Sequence, residues 1–167
     1  AGDSMPLDYF VVPDQLANAT AGYSVVGPMI TAFAGLFGEY PFVDEKYGHA
    51  HFLWGGGMEH QTCSSLYYDY YGEGLIAHEL AHQWFGDLIT CADFSHIWLN
   101  EGFASYMTRL ATAEEFDRTA SQLWDFVGLQ RWYMDVERGP FAHPIVYEDW
   151  TTPEQLFDAI SYTKGRK

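Results

Sequence analysis

Positive charge is the first thing this chain lacks: 8 lysines and arginines stand against 23 aspartates and glutamates over 167 residues, a formal net charge of −15. Such a surface repels a phosphate backbone and carries no basic stripe, so nucleic-acid binding is excluded as a function class. A peptide with a free, positively charged amino end suits it better. Cysteine is nearly absent as well. Cys63 and Cys91 are too few to define a disulfide framework, and a pair of buried thiols is the preferred reading. Long apolar runs are missing: the richest, YSVVGPMITAFAGLFG, falls short of the roughly 20 residues a bilayer requires and is broken by glycine and proline. No membrane-spanning segment is therefore expected. There is no internal repeat and no low-complexity tract. The opening AGDSMPLDYF lacks the basic start and apolar middle of a secretion signal, yet does not begin with methionine; this is compatible with a signal already removed and leaves the compartment undetermined.

What the chain does have is apolar and aromatic material, 48% hydrophobic and 18% aromatic, enough for a packed core in one domain or a large piece of one. LDYFVV reads as a strand, and the apolar residues of VVGPMITAFAGLFGEY recur at helical spacing. HAHFLW and SLYYDYY are sheet-like, with the run Gly55, Gly56 and Gly57 between them marking a turn or a close backbone approach. From Glu73 the pattern turns helical: GLIAHELAHQWFG closes at Gly86, NEGFASYMTRLATAEEF follows an expected cap at Asn100, and TASQLWDFVGLQRWYMDVE predicts a further helix. The three prolines of RGPFAHPIVYEDWTTPEQL then break the order. The fold class expected is α+β, with residues 1–72 mainly a sheet lobe carrying one helix and residues 73–167 mainly a helical lobe.

Chemistry concentrates in HELAHQWFGD, residues 78–87. Positions i and i+4 of a helix share a face, so His78 and His82 aim two ring nitrogens at one point. Two converging imidazoles suit a metal, above all zinc, at contacts of about 2.0–2.1 Å. Glu79 is rotated around the helix and is set to reach a water beside the metal, an acid-base position. A catalytic zinc keeps three protein ligands and one open site, which predicts a third partner. WLNEGFASY supplies it as Glu101, with eighteen residues between it and His82, on the next predicted helix. The rival pattern H-E-x-x-H-x-x-G-x-x-H needs glycine at 85 and histidine at 88, where the chain has Phe85 and Leu88, so that class is excluded. An H-E-x-x-H stretch alone also arises on ordinary surface helices; the glutamate inside WLNEG tips the reading to a metal site. His49, His51, His60, His96 and His143 have no such paired spacing and read as surface or core residues.

GGMEH (56–60), HELAHQWFGDLIT (78–90), WLNEGFASY (98–106) and SYTKG (161–165) stand in the order and approximate spacing of the membrane alanyl aminopeptidase family, which also contains leukotriene hydrolase, and the chain resembles that family over nearly its whole length. The resemblance implies a thermolysin-like zinc peptidase catalytic domain, with one Zn²⁺ per chain on His78, His82 and Glu101 and Glu79 as the acid-base residue. It places Gly56, Gly57, Met58 and Glu59 along the substrate, with Glu59 holding the free α-amino group, and makes Tyr162 the phenol that stabilises the tetrahedral intermediate. The partners implied are a peptide with a free N-terminus and the flanking domains that relatives carry. Three departures stand out: His60 replaces the common asparagine, Gly57 the common alanine, and Thr108 the glutamate that steadies a zinc histidine in many relatives. A thermolysin-like endopeptidase and a non-catalytic binding module of the same fold are the alternative functions. Because KGRK offers no apolar side chain to pin the end of the chain, Tyr162 is expected to fray away from the site.

Overall fold

The computed structural model describes residues 4–116, 136, 138 and 142–164. Four strands, β1 (Leu7–Phe10), β2 (Tyr47–Phe52), β3 (Gly57–Met58) and β4 (Ser64–Tyr67), form one sheet in the order β1-β2-β4-β3. The first two pairings are parallel, with Leu7 opposite Tyr47 and His49 opposite Ser64; β3 runs antiparallel to β4, with Gly57 opposite Leu66. A parallel neighbour demands a crossover. Between β1 and β2 it is helical: a 3₁₀ turn at Pro13–Gln15, α1 (Leu16–Gly22), a second 3₁₀ turn at Tyr23–Val25 and α2 (Val26–Phe37).

Helix therefore begins a dozen residues before the sequence pattern indicates. Pro13 supplies a ready-made first turn, while Pro28 falls in the first turn of α2, where its missing N–H leaves no bond unmade. Taken together, Pro13–Phe37 is long and apolar enough, by length and composition, to cross a membrane, contrary to the expectation from the shorter stretch. Its stripe Val26, Met29 and Phe33 is instead buried at i, i+3 and i+7 in the core. Phe33 stacks on Trp84 at 5.7 Å between ring centroids, and the Trp84 indole N–H donates to the Gly38 carbonyl that ends α2.

The helical side holds α3 (Glu73–Ala81), α4 (Trp98–Phe116) and α5 (Ala159–Lys164), with α4 packed on α2, α3 and α5. Alanines 77, 81, 104 and 111 are all buried, and their small side chains let α3 and α4 approach closely. Two expectations are corrected here. The helix carrying the histidine pair stops at Ala81, not at Gly86: beyond it Asp87, Leu88 and Ile89 donate to the carbonyls five residues back, on His82, Gln83 and Trp84, so the chain opens into wide turns. Asn100 is not a cap but lies inside the first turn of α4, and its side-chain carbonyl accepts the Cys91 backbone N–H at 3.0 Å. Cys63 and Cys91 are free and half-buried. The helix expected over 119–137 lies, but for residue 136, outside the described residues.

Candidate functional site

The end of α3, the first two turns of α4, the short strand β3 and the start of α5 meet at one place. His82 keeps its backbone bond to the His78 carbonyl at 3.2 Å, so the four-residue spacing still stacks the two imidazoles although the helix ends there. Their Nε2 atoms lie 3.1 Å apart. Glu101 Oε2 completes a triangle, 3.2 Å from His78 Nε2 and 3.3 Å from His82 Nε2. Four ligands around a tetrahedral zinc at about 2.0–2.1 Å would sit about 3.3 Å from one another. The donor set and its spacing thus fit the ion that the sequence motif implies.

The second ring nitrogens are also engaged. His82 Nδ1 donates to the Phe85 carbonyl at 3.0 Å, and His78 Nδ1 lies 3.5 Å from the Ser105 hydroxyl. Gly86 closes the turn around His82 with a φ of +142°, and a Cβ there would come within 2.9 Å of His82 Nδ1, so the position requires glycine twice over. Thr108, where many relatives carry a glutamate, donates its hydroxyl to the Ala104 carbonyl at 2.8 Å.

Charge around the cluster is strongly negative. Glu59, Glu79 and Glu101 are joined by Asp87, which has one carboxylate oxygen buried without a partner among the described residues. Burial works to raise the Glu101 carboxyl, but the hydrogen bonds from His78 and His82 hold it down at about 2. Burial works to lower His82, and Glu101, then Glu59 and Glu79, overcome it and lift the imidazole to about 9. His78 goes the other way, lowered by burial despite its bond to Glu101. Glu79 is raised to about 8 by burial, with the charges of Glu59 and Glu101 adding to the effect, and Asp87 to about 7 by burial and Glu59. Several carboxylates around two imidazoles form a site that a divalent cation would neutralise.

Glu79 lies buried beneath β3, with Oε2 free of any hydrogen-bond partner among the described residues. A Cβ on Gly57 would stand 2.6 and 2.7 Å from the Glu79 Cδ and Cγ atoms, so the absence of a side chain is what lets the strand rest on the carboxylate. Gly56 turns into β3 with a φ of +96°, and Met58 is exposed at the sheet edge. Glu59, just past that edge, has Oε1 4.0 Å from His82 Nδ1. His60, in place of the common asparagine, bonds Ser65 through Nδ1 and stays exposed.

Tyr162 is not frayed. Asp158 caps α5 by accepting the N–H groups of Ile160 and Ser161, both of which are buried, and the Tyr162 ring stacks over His78 at 6.0 Å and 28°. Ile160, two residues before Tyr162, and the Asp158 cap supply the anchor. Burial, reinforced by the charge of Glu101, raises the phenol far above its usual range, so it stays protonated and able to donate a hydrogen bond. The sequence reading missed Ser105, Asp87 and the Phe85 carbonyl; of these, only Ser105 left a signal, by lying four residues after Glu101 on the same helical face.

Residues 58–167 match the Peptidase family M1 domain. The chain is 42% identical to Aminopeptidase M1 of Arabidopsis thaliana over 162 residues, covering 95% of this chain and 16% of that protein. It is 34% identical to human Aminopeptidase N, covering 92% of this chain and 18% of that one. The structure of an M1 zinc metallopeptidase from Deinococcus radiodurans superposes with a TM-score of 0.70 at 28% identity, covering 98% of this chain and 37% of that one. The chain thus spans less than a fifth of the length of these curated relatives.

Proposed function

The chain belongs to peptidase family M1, and on that premise we propose that residues 1–167 are part of the catalytic domain of a zinc-dependent aminopeptidase, which removes the N-terminal residue from peptides. The observation that carries this reading is the triangle of His78 Nε2, His82 Nε2 and Glu101 Oε2, each 3.1–3.3 Å from the others, with a buried glutamate beside it. These three atoms would hold one zinc ion. When bound there, the ion supplies Lewis acidity, polarising the scissile carbonyl and lowering the pKa of water.

The chain's own residues do the rest. Glu79, with Oε2 unpartnered among the described residues and the carboxylate lying against Gly57, takes a proton from the attacking water and returns it to the leaving amine. Glu59, beside the cluster at the end of β3, anchors the substrate's ammonium by charge-assisted hydrogen bonds, which sets the first peptide bond at the metal. The free edge of β3, with Gly56, Gly57 and Met58, receives the substrate as an added strand. Tyr162 turns its phenol to the oxyanion as the carbonyl becomes tetrahedral. Flanking domains of the kind that lengthen the relatives would wall the cleft.

A panel of aminoacyl chromogenic substrates and their N-acetylated counterparts, offered to the complete protein with and without a chelator, tests the proposal. The expected result is hydrolysis of the free-amine compounds only, abolished by chelation and restored by zinc. Equal cleavage of blocked peptides would point to an endopeptidase. Zinc binding without any turnover would point to a binding module.

A further inference from the structure

We propose that Ser105 is a positioning residue for His78, the group that decides which of its ring nitrogens faces the metal; this rests on the reading of His78, His82 and Glu101 as ligands. A neutral imidazole has one N–H and one lone pair, and a ligand needs the lone pair on the nitrogen at the cluster. His78 Nε2 is the nitrogen at the cluster, 3.1 Å from His82 Nε2 and 3.2 Å from Glu101 Oε2. A metal there would displace the proton through which Nε2 bonds Glu101, so with the metal bound the ring's proton must sit on Nδ1 and needs an acceptor there. The Ser105 hydroxyl stands at that atom, 3.5 Å away, on a residue only 4% exposed.

The placement follows from helix geometry. Glu101 and Ser105 are four residues apart on α4, so one face presents the carboxylate to the cluster and, one turn further on, the hydroxyl to the far side of the same imidazole. The two imidazoles are thus steadied by different means: His82 by the Phe85 carbonyl at 3.0 Å, a backbone atom no side-chain substitution removes, and His78 by a serine. Removing such outer partners in metal sites typically weakens metal binding 10–100-fold. A neutral hydroxyl holds the ring less firmly than a carboxylate does, which places the effect of Ser105 near the lower end.

The experiment uses the complete protein with Ser105→Ala, Ser105→Thr and His78→Ala. Zinc affinity is measured by chelator competition, the thermal midpoint is measured on metal-free protein, and solvent exchange of the His78 Nδ1–H is read from ¹⁵N–¹H imidazole correlations on zinc-loaded protein. Ser105→Ala should weaken zinc binding about tenfold, leave the metal-free midpoint unchanged and speed exchange of the His78 Nδ1–H, and Ser105→Thr should restore both affinity and slow exchange. Unaltered affinity and exchange in Ser105→Ala overturn the inference. So does a weakening that tracks a fall in the metal-free midpoint and that threonine does not rescue, since that is loss of packing. Retention of full zinc affinity in His78→Ala overturns the ligand reading itself, and the Ser105 inference with it.

Discussion

His49 couples the stability of this fold to acid. Its ring is fully buried on β2, both nitrogens lack a partner among the described residues, and Tyr9, Tyr23 and Tyr47 surround it with centroids at 5.5, 4.5 and 5.4 Å. None of these phenols offers a charge, because burial pushes all three above their ordinary value. Burial first, and the neighbouring His51 second, depress the imidazole from 6.5 to about 3. Between those values the unfolded chain binds a proton that the folded chain refuses, so this contribution to stability is complete above pH 6.5 and is lost as pH falls toward 3. At about 1.36 kcal/mol per unit, lowering pH to 5 removes about 2 kcal/mol, a sizeable part of a typical folding free energy of roughly 5–15 kcal/mol. Urea unfolding at pH 7 and pH 5, for the native sequence and for His49→Leu, isolates the effect, because other titrating groups cancel in the double difference. The variant should lose about 2 kcal/mol less than the native protein on acidification. An identical loss in both would refute the argument that the buried ring is held neutral.

Three further outcomes are expected at the site. Glu79→Gln should lower turnover of free-amine substrates by about 10²–10⁴ with zinc content unchanged by metal analysis; near-native turnover would remove Glu79 from the proton transfer. Glu59→Ala should raise KM for peptides with a free amino end and narrow the gap to N-acetylated ones, and steady-state kinetics on matched pairs would expose an anchor elsewhere if the preference survives. Gly86→Ala forces a Cβ into a backbone at φ +142° and to within 2.9 Å of His82 Nδ1. It should cost about 1–3 kcal/mol in unfolding free energy and weaken zinc binding in chelator competition, and a variant that matches the native protein in both would show that the turn tolerates a side chain.

Local spacing determined much of this protein before any coordinates. His78 and His82 are four residues apart, and that separation stacks two imidazoles in any helical turn, even one that ends at Ala81 as here. Glu101 was readable as a partner from its spacing, eighteen intervening residues after His82 and inside WLNEG at the start of the next predicted helix. The three glycines before Met58 likewise announced a close approach, and Gly57 proves to lie against Glu79. Tertiary structure alone decided the rest. No local rule says that α3 gives way to wide turns after His82, because that depends on Gly86 and on carbonyls being satisfied five residues ahead. Nor does one say that Asn100 would tie a loop rather than cap a helix. The anchoring of Tyr162 was invisible because its support comes from α4 packing on α5 and from the Asp158 cap, not from the polar residues that follow it. The neutral burial of His49 belongs to the same class. Burial and partners are properties of the packed whole, and a sequence records which side chains exist but not which of them will share a cavity without water.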